Sequence, residues 1–307
     1  MLKRIEDDGD IVEPHYYLPI IPMVLVNGCN AGIGTGWSCS IPQYNPIDLI
    51  DSIQKWLNGD ELPELSPWYR GFNGVIQKVN EKKFMTMGKF SQDKNKYVIE
   101  ELPINMWTDK YKEFLENLME KKKIKTLKNY STPTKIKFVI VPQNGFKCNL
   151  DSLKLKSYLS LTNMVLFTTG NKLRKFDTVN EIIETFCVKR LKLYKKRKAR
   201  LLKNLKENLK WCKNEKRFIE DVINGYLVIY RKEIENIVGE MEGRKYDKKD
   251  ENYDYLLNKP ISTMTKNKIK LLDKKIEKME EDVVIIEGKT EKMIWIEELK
   301  ELTEKMK

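Results

Sequence analysis

The sequence predicts an α+β domain followed by a long antiparallel α-helical coiled-coil hairpin that carries a small helical head. Three observations support this fold class. Short apolar runs separated by turn residues fill 69–142, a pattern typical of β-strands. From Thr178 onward apolar residues recur at helical spacing, with no Gly or Pro before Gly225. A second stripe of the same spacing begins near Thr265, and we expect the two helices to pair because a compact domain cannot cover either.

The N-terminal segment 1–26 is expected to contain no helix. Its first part, 1–14, is acidic and irregular in pattern. The following stretch, 16–26, is predicted to be extended because Pro19 and Pro22 do not fit a helix interior.

A glycine-rich loop is predicted over 27–38, and Pro46 then opens a helix that ends at Asn58. The loop lacks the Lys-Ser/Thr ending of a P-loop and the strand-to-helix turn of a dinucleotide site, which disfavours nucleotide binding. Two interpretations stay open. The run is either a structural turn or a mount for Ile33, an apolar residue between glycines where a turn prefers Asn, Asp or Ser.

The α+β domain is expected to be an antiparallel sheet with helices on one side. One helix is predicted at about 107–122. The predicted strands are 74–76, 83–87, 97–102, 135–141 and 163–167.

Thr178 and Glu181 form a capping-box pattern, which predicts the start of a helix of roughly 45 residues and about 70 Å. The return helix begins near Thr265, pauses at 288–290 and resumes to about Lys305. The short mixed segment 224–260 between the two arms predicts a small head at their tip.

The charge of the chain favours a polyanionic partner such as nucleic acid, because 57 Lys and Arg against 45 Asp and Glu give a net charge of +12. The long helix carries a run of basic residues with no acidic residue among them. This run is either a solvated helix face or, because like charges at i,i+4 repel, a surface for a polyanion. Its members are Lys189, Arg190, Lys192, Lys195, Lys196, Arg197, Lys198, Arg200, Lys203 and Lys206.

The five cysteines form no CxxC pair, and the chain has one histidine, so the sequence predicts reduced, structural thiols and no metal site. No charged-then-apolar leader opens the chain, and its longest apolar run is shorter than a membrane span. We therefore expect a soluble, intracellular protein.

The segment from Glu13 to Pro46 contains EPHYYLPIIPMVLVNG and AGIGTGWSCSIPQYNP. It resembles the segment of eukaryotic and large-DNA-virus type IIA DNA topoisomerases that follows the winged-helix domain and begins the tower. The run between Gly28 and Gly32 is one residue longer than the family pattern. Further similar fragments follow in the family's order: Glu101-Leu102-Pro103 with Trp107-Thr108, Asn163 to Phe167, Lys175 to Val179, and Tyr255-Leu256-Leu257.

The resemblance implies that Ile33 inserts between base pairs of the DNA segment to be cut and helps to bend it. It also implies that the root of the coiled coil faces the cavity for a second duplex, with Lys189, Arg190, Lys192, Lys196, Arg197 and Arg200 on that side. For Trp37, packing under the loop is the alternative to DNA contact. The DNA-binding loop would comprise Asn27, Gly28, Gly32, Gly34, Thr35, Gly36, Trp37 and Ser38.

The resemblance implies five parts of the chain and a homodimer. The head would form a dimer exit gate through Tyr226, Leu227, Val228 and Ile229. The parts are the end of the winged-helix region with its connector (1–26), the α+β tower domain (27–177), the first coiled-coil arm (178–223), the head (224–262) and the return arm (263–307).

In the family, the nucleophilic tyrosine, the acidic metal-binding residues and the ATPase site belong to upstream domains. We therefore expect no catalytic residue, metal or cofactor in this chain, which would be inactive alone and act with upstream domains in cis or in trans. The whole enzyme would be an isomerase that requires ATP and Mg²⁺, in the nucleus or at a viral replication site. The alternative function is a non-enzymatic basic coiled-coil protein that binds nucleic acid or serves as a scaffold.

Overall fold

A computed structural model describes residues 4–168 and 170–306, and the chain divides into two units. Of the described residues, the first unit comprises 4–168, 170–190 and 298–306. The second unit comprises Leu191–Glu297. No helix in the described part of the chain is both long and apolar enough to cross a membrane.

The N-terminal segment differs from the prediction in two places. Strands β1 (Arg4–Asp7) and β2 (Asp10–Pro14) form an antiparallel hairpin where an irregular chain was expected. Helix α1 (Met23–Asn27) replaces the end of the predicted extended stretch. Pro22 does not prevent this helix because it occupies the N-cap position, where its ring precedes the first helical residue.

The predicted glycine-rich loop is largely a second hairpin, formed by β3 (Cys29–Gly34) and β4 (Trp37–Ile41). Helix α2 (Pro46–Asn58) follows and confirms its prediction. The Asn45 side chain accepts a hydrogen bond from the Ile47 amide at its start, and Gly59 ends it in a left-handed conformation.

Two antiparallel sheets form the centre of the first unit. Their strands, and the helix among them, are β5 (Val75–Asn80), β6 (Lys83–Met87), β7 (Lys89–Asp93), β8 (Lys96–Glu101), α3 (Thr108–Glu120), β9 (Ile124–Asn129), β10 (Phe138–Pro142) and β11 (Lys156–Ser160). One sheet has four strands in the order β7-β8-β10-β9, and the other has three in the order β11-β6-β5. A further pair, β12 (Met164–Phe167) and β13 (Leu173–Phe176), completes this part.

The predicted strands and the helix of the α+β domain are present, with shifted ends, but β7, β9, β11 and β13 were missed. The missed strands are rich in lysine and serine, so their sequences lack the apolar alternation of a half-buried strand. Helix α3 packs on the four-stranded sheet through Tyr111, Leu115 and Leu118, which share one core with Ile99, Phe138 and Ile140.

A long helix, α4 (Val179–Ile223), has 45 residues, as predicted. The Thr178 hydroxyl accepts a hydrogen bond from the Glu181 amide at its start. The Glu181 carboxylate accepts from the amide of Asp177 rather than from that of Thr178, so the capping box is displaced by one residue.

The second unit contains most of α4 and the helices that return along the chain. The helices after α4 are α5 (Ile234–Gly243), α6 (Asp254–Leu257), α7 (Lys266–Gly288) and α8 (Glu291–Met306), with a 3₁₀ turn at Ile261–Thr263. Helix α7 begins next to Thr265, as predicted, and the Thr265 side chain caps it by accepting a hydrogen bond from the Lys268 amide. The break before α8 falls at the predicted pause.

Ion pairs join α4 to α7 along their length. Lys206 pairs with Glu287 at 2.6 Å, Lys213 with Glu280 at 2.5 Å and Lys216 with Asp273 at 2.7 Å. The residue numbers rise on one helix as they fall on the other, so the two helices run antiparallel. Each exposed pair contributes little alone, on the order of 0–1 kcal/mol, but together they fix which residues face each other.

Candidate nucleic-acid interface

Ile33 lies at the tip of the β3–β4 hairpin, where 87% of its side chain is exposed. It pairs with Ser38, and Gly34 pairs with Trp37 at the end of the ladder. The connecting turn includes Gly36, whose positive φ of 78° suits glycine. The hairpin therefore holds a large apolar side chain in solvent, away from any core.

The indole of Trp37 supports this tip from below. A Cβ atom on Gly34 would lie 2.4 Å from the Trp37 Nε1, so the ring takes the space that a side chain would need. The ring also meets Phe167 edge-on, with 5.4 Å between centroids. Only glycine fits at position 34, because the indole occupies the space of a side chain there. The half-buried Trp37 therefore has a packing role.

A β-bulge lies in the lower part of the hairpin. Cys29 pairs with Ile41 and Gly32 with Cys39, so β3 has one more residue than β4 between these pairs. Ala31, inside the bulge, adopts a left-handed conformation with φ of 53°. The bulge falls where the sequence is one residue longer than the family pattern.

Asparagines fix the foot of the hairpin. The backbone carbonyl of Asn163, just before β12, accepts a hydrogen bond from the Ser40 amide at 2.8 Å, and its Nδ2 donates to the Ser38 hydroxyl at 2.9 Å. Asn30 donates to the Asn105 Oδ1 at 2.9 Å. The hairpin is therefore anchored on both sides, while the Ile33 side chain stays exposed. Sequence reasoning did not assign Asn163 or Asn105 to the site, although Asn163 opens one of the family-like fragments.

A cavity of about 330 Å³ opens beside this foot. Its polar groups are mostly neutral amides, and its apolar wall includes the exposed Trp107. The lining residues are Asn27, Gly28, Cys29, Asn30, Ile41, Gln43, Tyr69, Ile104, Asn105, Met106 and Trp107.

The structure places the other predicted loop residues around the hairpin. Asn27 ends α1, and its carbonyl accepts a hydrogen bond from Gln43 at 3.0 Å. Gly28 has φ of 65°, and a Cβ there would lie 2.8 Å from the Ile41 carbonyl oxygen. Thr35 is exposed in the turn. These residues shape the hairpin, and Ile33 and Thr35 are the side chains it presents at its tip.

The basic residues of α4 fall into two groups. Arg190 was predicted to face DNA, but it binds within the protein instead. Its guanidinium donates to the Leu18 carbonyl and lies 3.8 Å from Glu298. Lys189 lies over the ring of Tyr16, with its Nζ 5.7 Å from the centroid. The first group is thus held by neighbours within the first unit.

The second group forms an exposed cationic stripe within the second unit, comprising Lys192, Lys195, Lys196 and Arg200. These side chains have no ion-pair partner among the described residues, and their i,i+3 and i,i+4 spacing places them on one face. Arg197, also predicted for this surface, stacks near the ring of Tyr194 instead.

The predicted gate residues differ in exposure. Leu227 belongs to the core of the head, together with Phe218, Met241 and Leu256, and is therefore not available to a partner. Tyr226 is exposed, and Val228 and Ile229 are half-buried.

The family model of the DNA gyrase/topoisomerase IV A subunit matches residues 1–300. DNA topoisomerase 2 of Invertebrate iridescent virus 6 is 37% identical over 301 residues, which cover 94% of this chain and 26% of that protein. DNA topoisomerase 2 of Plasmodium falciparum (isolate K1 / Thailand) is 33% identical over 348 residues, which cover 99% of this chain and 25% of that protein. This chain belongs to the type IIA DNA topoisomerase family and corresponds to its cleavage-core region.

A solved structure agrees with this assignment. The crystal structure of the Plasmodium falciparum topoisomerase II DNA-binding, cleavage and re-ligation domain has a TM-score of 0.88 and 32% sequence identity, and the match covers 99% of this chain and 47% of that one. The chain spans about a quarter of the length of the two curated relatives. The comparisons favour the topoisomerase interpretation over the non-enzymatic coiled-coil alternative.

Proposed function

We propose that this chain is the part of an ATP-dependent type II DNA topoisomerase that binds and bends the duplex to be cut. The observation that carries the proposal is the exposed Ile33 at the tip of a hairpin with an anchored foot. Insertion of an apolar wedge between base pairs costs a few kcal/mol, which the extra contacts of a bent duplex offset. The similar solved structure is of a DNA-binding, cleavage and re-ligation domain.

The substitution Ile33→Ala tests the wedge. We expect it to reduce the bend angle of a bound duplex by about half or more, because a methyl group cannot separate stacked base pairs. Thermal stability should change little, since exposed side chains contribute within about 0.5 kcal/mol. Fluorescence energy transfer between dyes at the two DNA ends measures the bend.

The matched control is Ile11→Ala, which removes another isoleucine side chain that is 70% exposed, on β2. This variant should bend DNA as the unmodified chain does. Equal bending by the Ile33 and Ile11 variants would contradict the assignment of the wedge.

The exposed cationic stripe is proposed as a second, sequence-independent contact with DNA. It comprises the α4 cations that the described part of the fold does not pair, and phosphates are the ligand such a row attracts. Its spacing along one helix face suits a duplex backbone better than a small anion.

A triple variant, Lys192→Gln with Lys196→Gln and Arg200→Gln, tests this contact. The dependence of log affinity on log salt should become shallower by up to about 0.9 for each phosphate that the variant no longer neutralises. Titrations at several salt concentrations measure the slope. The control replaces Lys203 and Lys206, which pair with Glu207 and Glu287, by Gln and should change the slope less. An unchanged slope in the triple variant would show that the stripe does not touch DNA.

We further propose that the chain does not itself cut DNA and that other domains of the enzyme supply the nucleophile, ATP hydrolysis and Mg²⁺. The match leaves about three quarters of each of the two curated relatives outside it, which supports this division. Tyr111 and Tyr246 are also unsuited to attack, since burial raises the pKa of both phenols.

Mixing the chain with a fragment that carries the upstream domains tests this division of labour. The chain alone should leave supercoiled plasmid unchanged and form no covalent adduct with DNA. Together the two fragments should relax the plasmid when ATP and Mg²⁺ are present. An adduct formed by the chain alone would falsify the proposal, and so would failure of two folded fragments to relax DNA.

The antiparallel α4 and α7 are proposed to form a coiled-coil hairpin whose head is a dimer gate. The ion pairs between the helices support the hairpin. The head has its own core, yet it leaves Tyr226 and Tyr230 exposed, at 64% and 72%. Exposed aromatic residues of this kind are common in interfaces between protein chains.

Sedimentation equilibrium tests the gate. The chain should be a dimer at micromolar concentration, and Tyr226→Ser with Val228→Ser should raise the dissociation constant about tenfold or more, since both substitutions remove apolar area from the interface. Tyr130→Ser, which alters an exposed tyrosine of the first unit, is the control. A monomer at the highest accessible concentration would contradict the gate.

A further inference from the structure

Two cysteines approach each other at the foot of the Ile33 hairpin. Cys29 pairs with Ile41 and Cys39 with Gly32, on either side of the bulge. Residues opposite each other in a ladder share a face of the hairpin, so both thiols lie on the face of the buried Cys39 and Ile41. The cysteines are ten residues apart in sequence and form no recognisable motif, so only the fold shows their proximity.

The sulfur of Cys29 occupies the place of the side chain that Gly32 lacks. A Cβ atom on Gly32 would lie 2.5 Å from the Cys29 Sγ and 3.9 Å from the Cys39 Cβ. The same sulfur donates a hydrogen bond to the Cys39 carbonyl oxygen at 3.6 Å. A side-chain hydrogen bond from Cys29 also acts on the Cys39 thiol, so the two thiols are direct neighbours.

The two thiols differ in their surroundings. Cys29 is half-buried and lines the cavity of about 330 Å³, through which a small oxidant can reach it. Cys39 is 3% exposed, and burial together with the neighbouring Cys29 raises the pKa of its thiol. Thiols that respond to oxidants are accessible and often have a second cysteine beside them that resolves the sulfenic acid, as Cys39 lies beside Cys29. The raised pKa of Cys39 slows this second step, because the thiolate is the attacking form.

We propose that Cys29 and Cys39 form a redox-sensitive dithiol that a peroxide converts to a disulfide. The Cys29 sulfur attacks the peroxide, the O–O bond breaks, and a sulfenic acid and one water form. The Cys39 sulfur then attacks the Cys29 sulfur, its proton leaves with the displaced hydroxyl as a second water, and the S–S bond forms. Two electrons pass from the thiols to the peroxide, and a monothiol such as glutathione reverses the bond by exchange.

The disulfide would act on Ile33 through the strand between them. It draws the Cys29 sulfur away from Gly32 and ties β3 to β4 at the start of the bulge, four residues before Ile33. A bulge sets the direction of the side chains that follow it, so the bond changes the direction in which the Ile33 side chain points. This consequence rests on the proposed DNA-bending function, whereas formation of the disulfide does not.

Mass spectrometry of the whole chain after mild hydrogen peroxide treatment tests the dithiol. The unmodified chain should lose two hydrogens, and peptide mapping should join Cys29 to Cys39 until dithiothreitol is added. Cys29→Ser and Cys39→Ser should each abolish the product. Cys148→Ser, which alters another half-buried cysteine of the first unit, should leave it intact. Oxygen addition at Cys29 without a crosslink, or a crosslink between other cysteines, would overturn the proposal.

DNA bending by the oxidised chain tests the consequence. The oxidised chain should bend the duplex less than the reduced chain, dithiothreitol should restore the bend, and Cys29→Ser should be insensitive to peroxide. If Ile33→Ala lowers bending but oxidation does not, the link between the disulfide and the wedge is wrong. If Ile33→Ala has no effect, the proposed function is wrong, and the mass measurement still decides whether the disulfide forms.

Discussion

The contact between the Trp37 indole and the bare backbone of Gly34 is the interaction on which the site depends. It lets the ring lie directly under the hairpin tip and reach Phe167 beyond it. The Ile33 side chain is exposed, so burial does not stabilise its position. The strand that carries it must therefore fix that position. The packed glycine, indole and phenyl groups supply that rigidity without covering Ile33.

Elements marked by local chemistry were predictable from the sequence. Helix α2 has Asn45 before it and Gly59 after it, and Thr265 precedes α7, so capping identifies these ends without tertiary information. The β3–β4 hairpin was predicted as a loop because its glycines suit turns. Gly36 does occupy the turn, but Gly34 is required by Trp37, which the strand pairing brings close.

The charge pattern of α4 was visible in the sequence, but its division was not. Arg190 and Lys206 belong to the same basic run as Lys196, yet their partners lie far along the chain, at Glu298 and Glu287. Which cations stay unpaired depends on the antiparallel return of the chain. Non-local pairing likewise decided that Leu227 lies in the core of the head while its neighbour Tyr226 is exposed.

Because of the bulge between Cys29 and Gly32, the number of residues in β3 does not determine which way its later side chains point. Side chains alternate along a strand, so a single inserted residue would ordinarily turn every later one to the opposite face. Here two residues of β3 occupy the space opposite one residue of β4, and the alternation resumes at Gly32. A lineage could therefore gain or lose a residue at this point while Ile33 continued to face the same side.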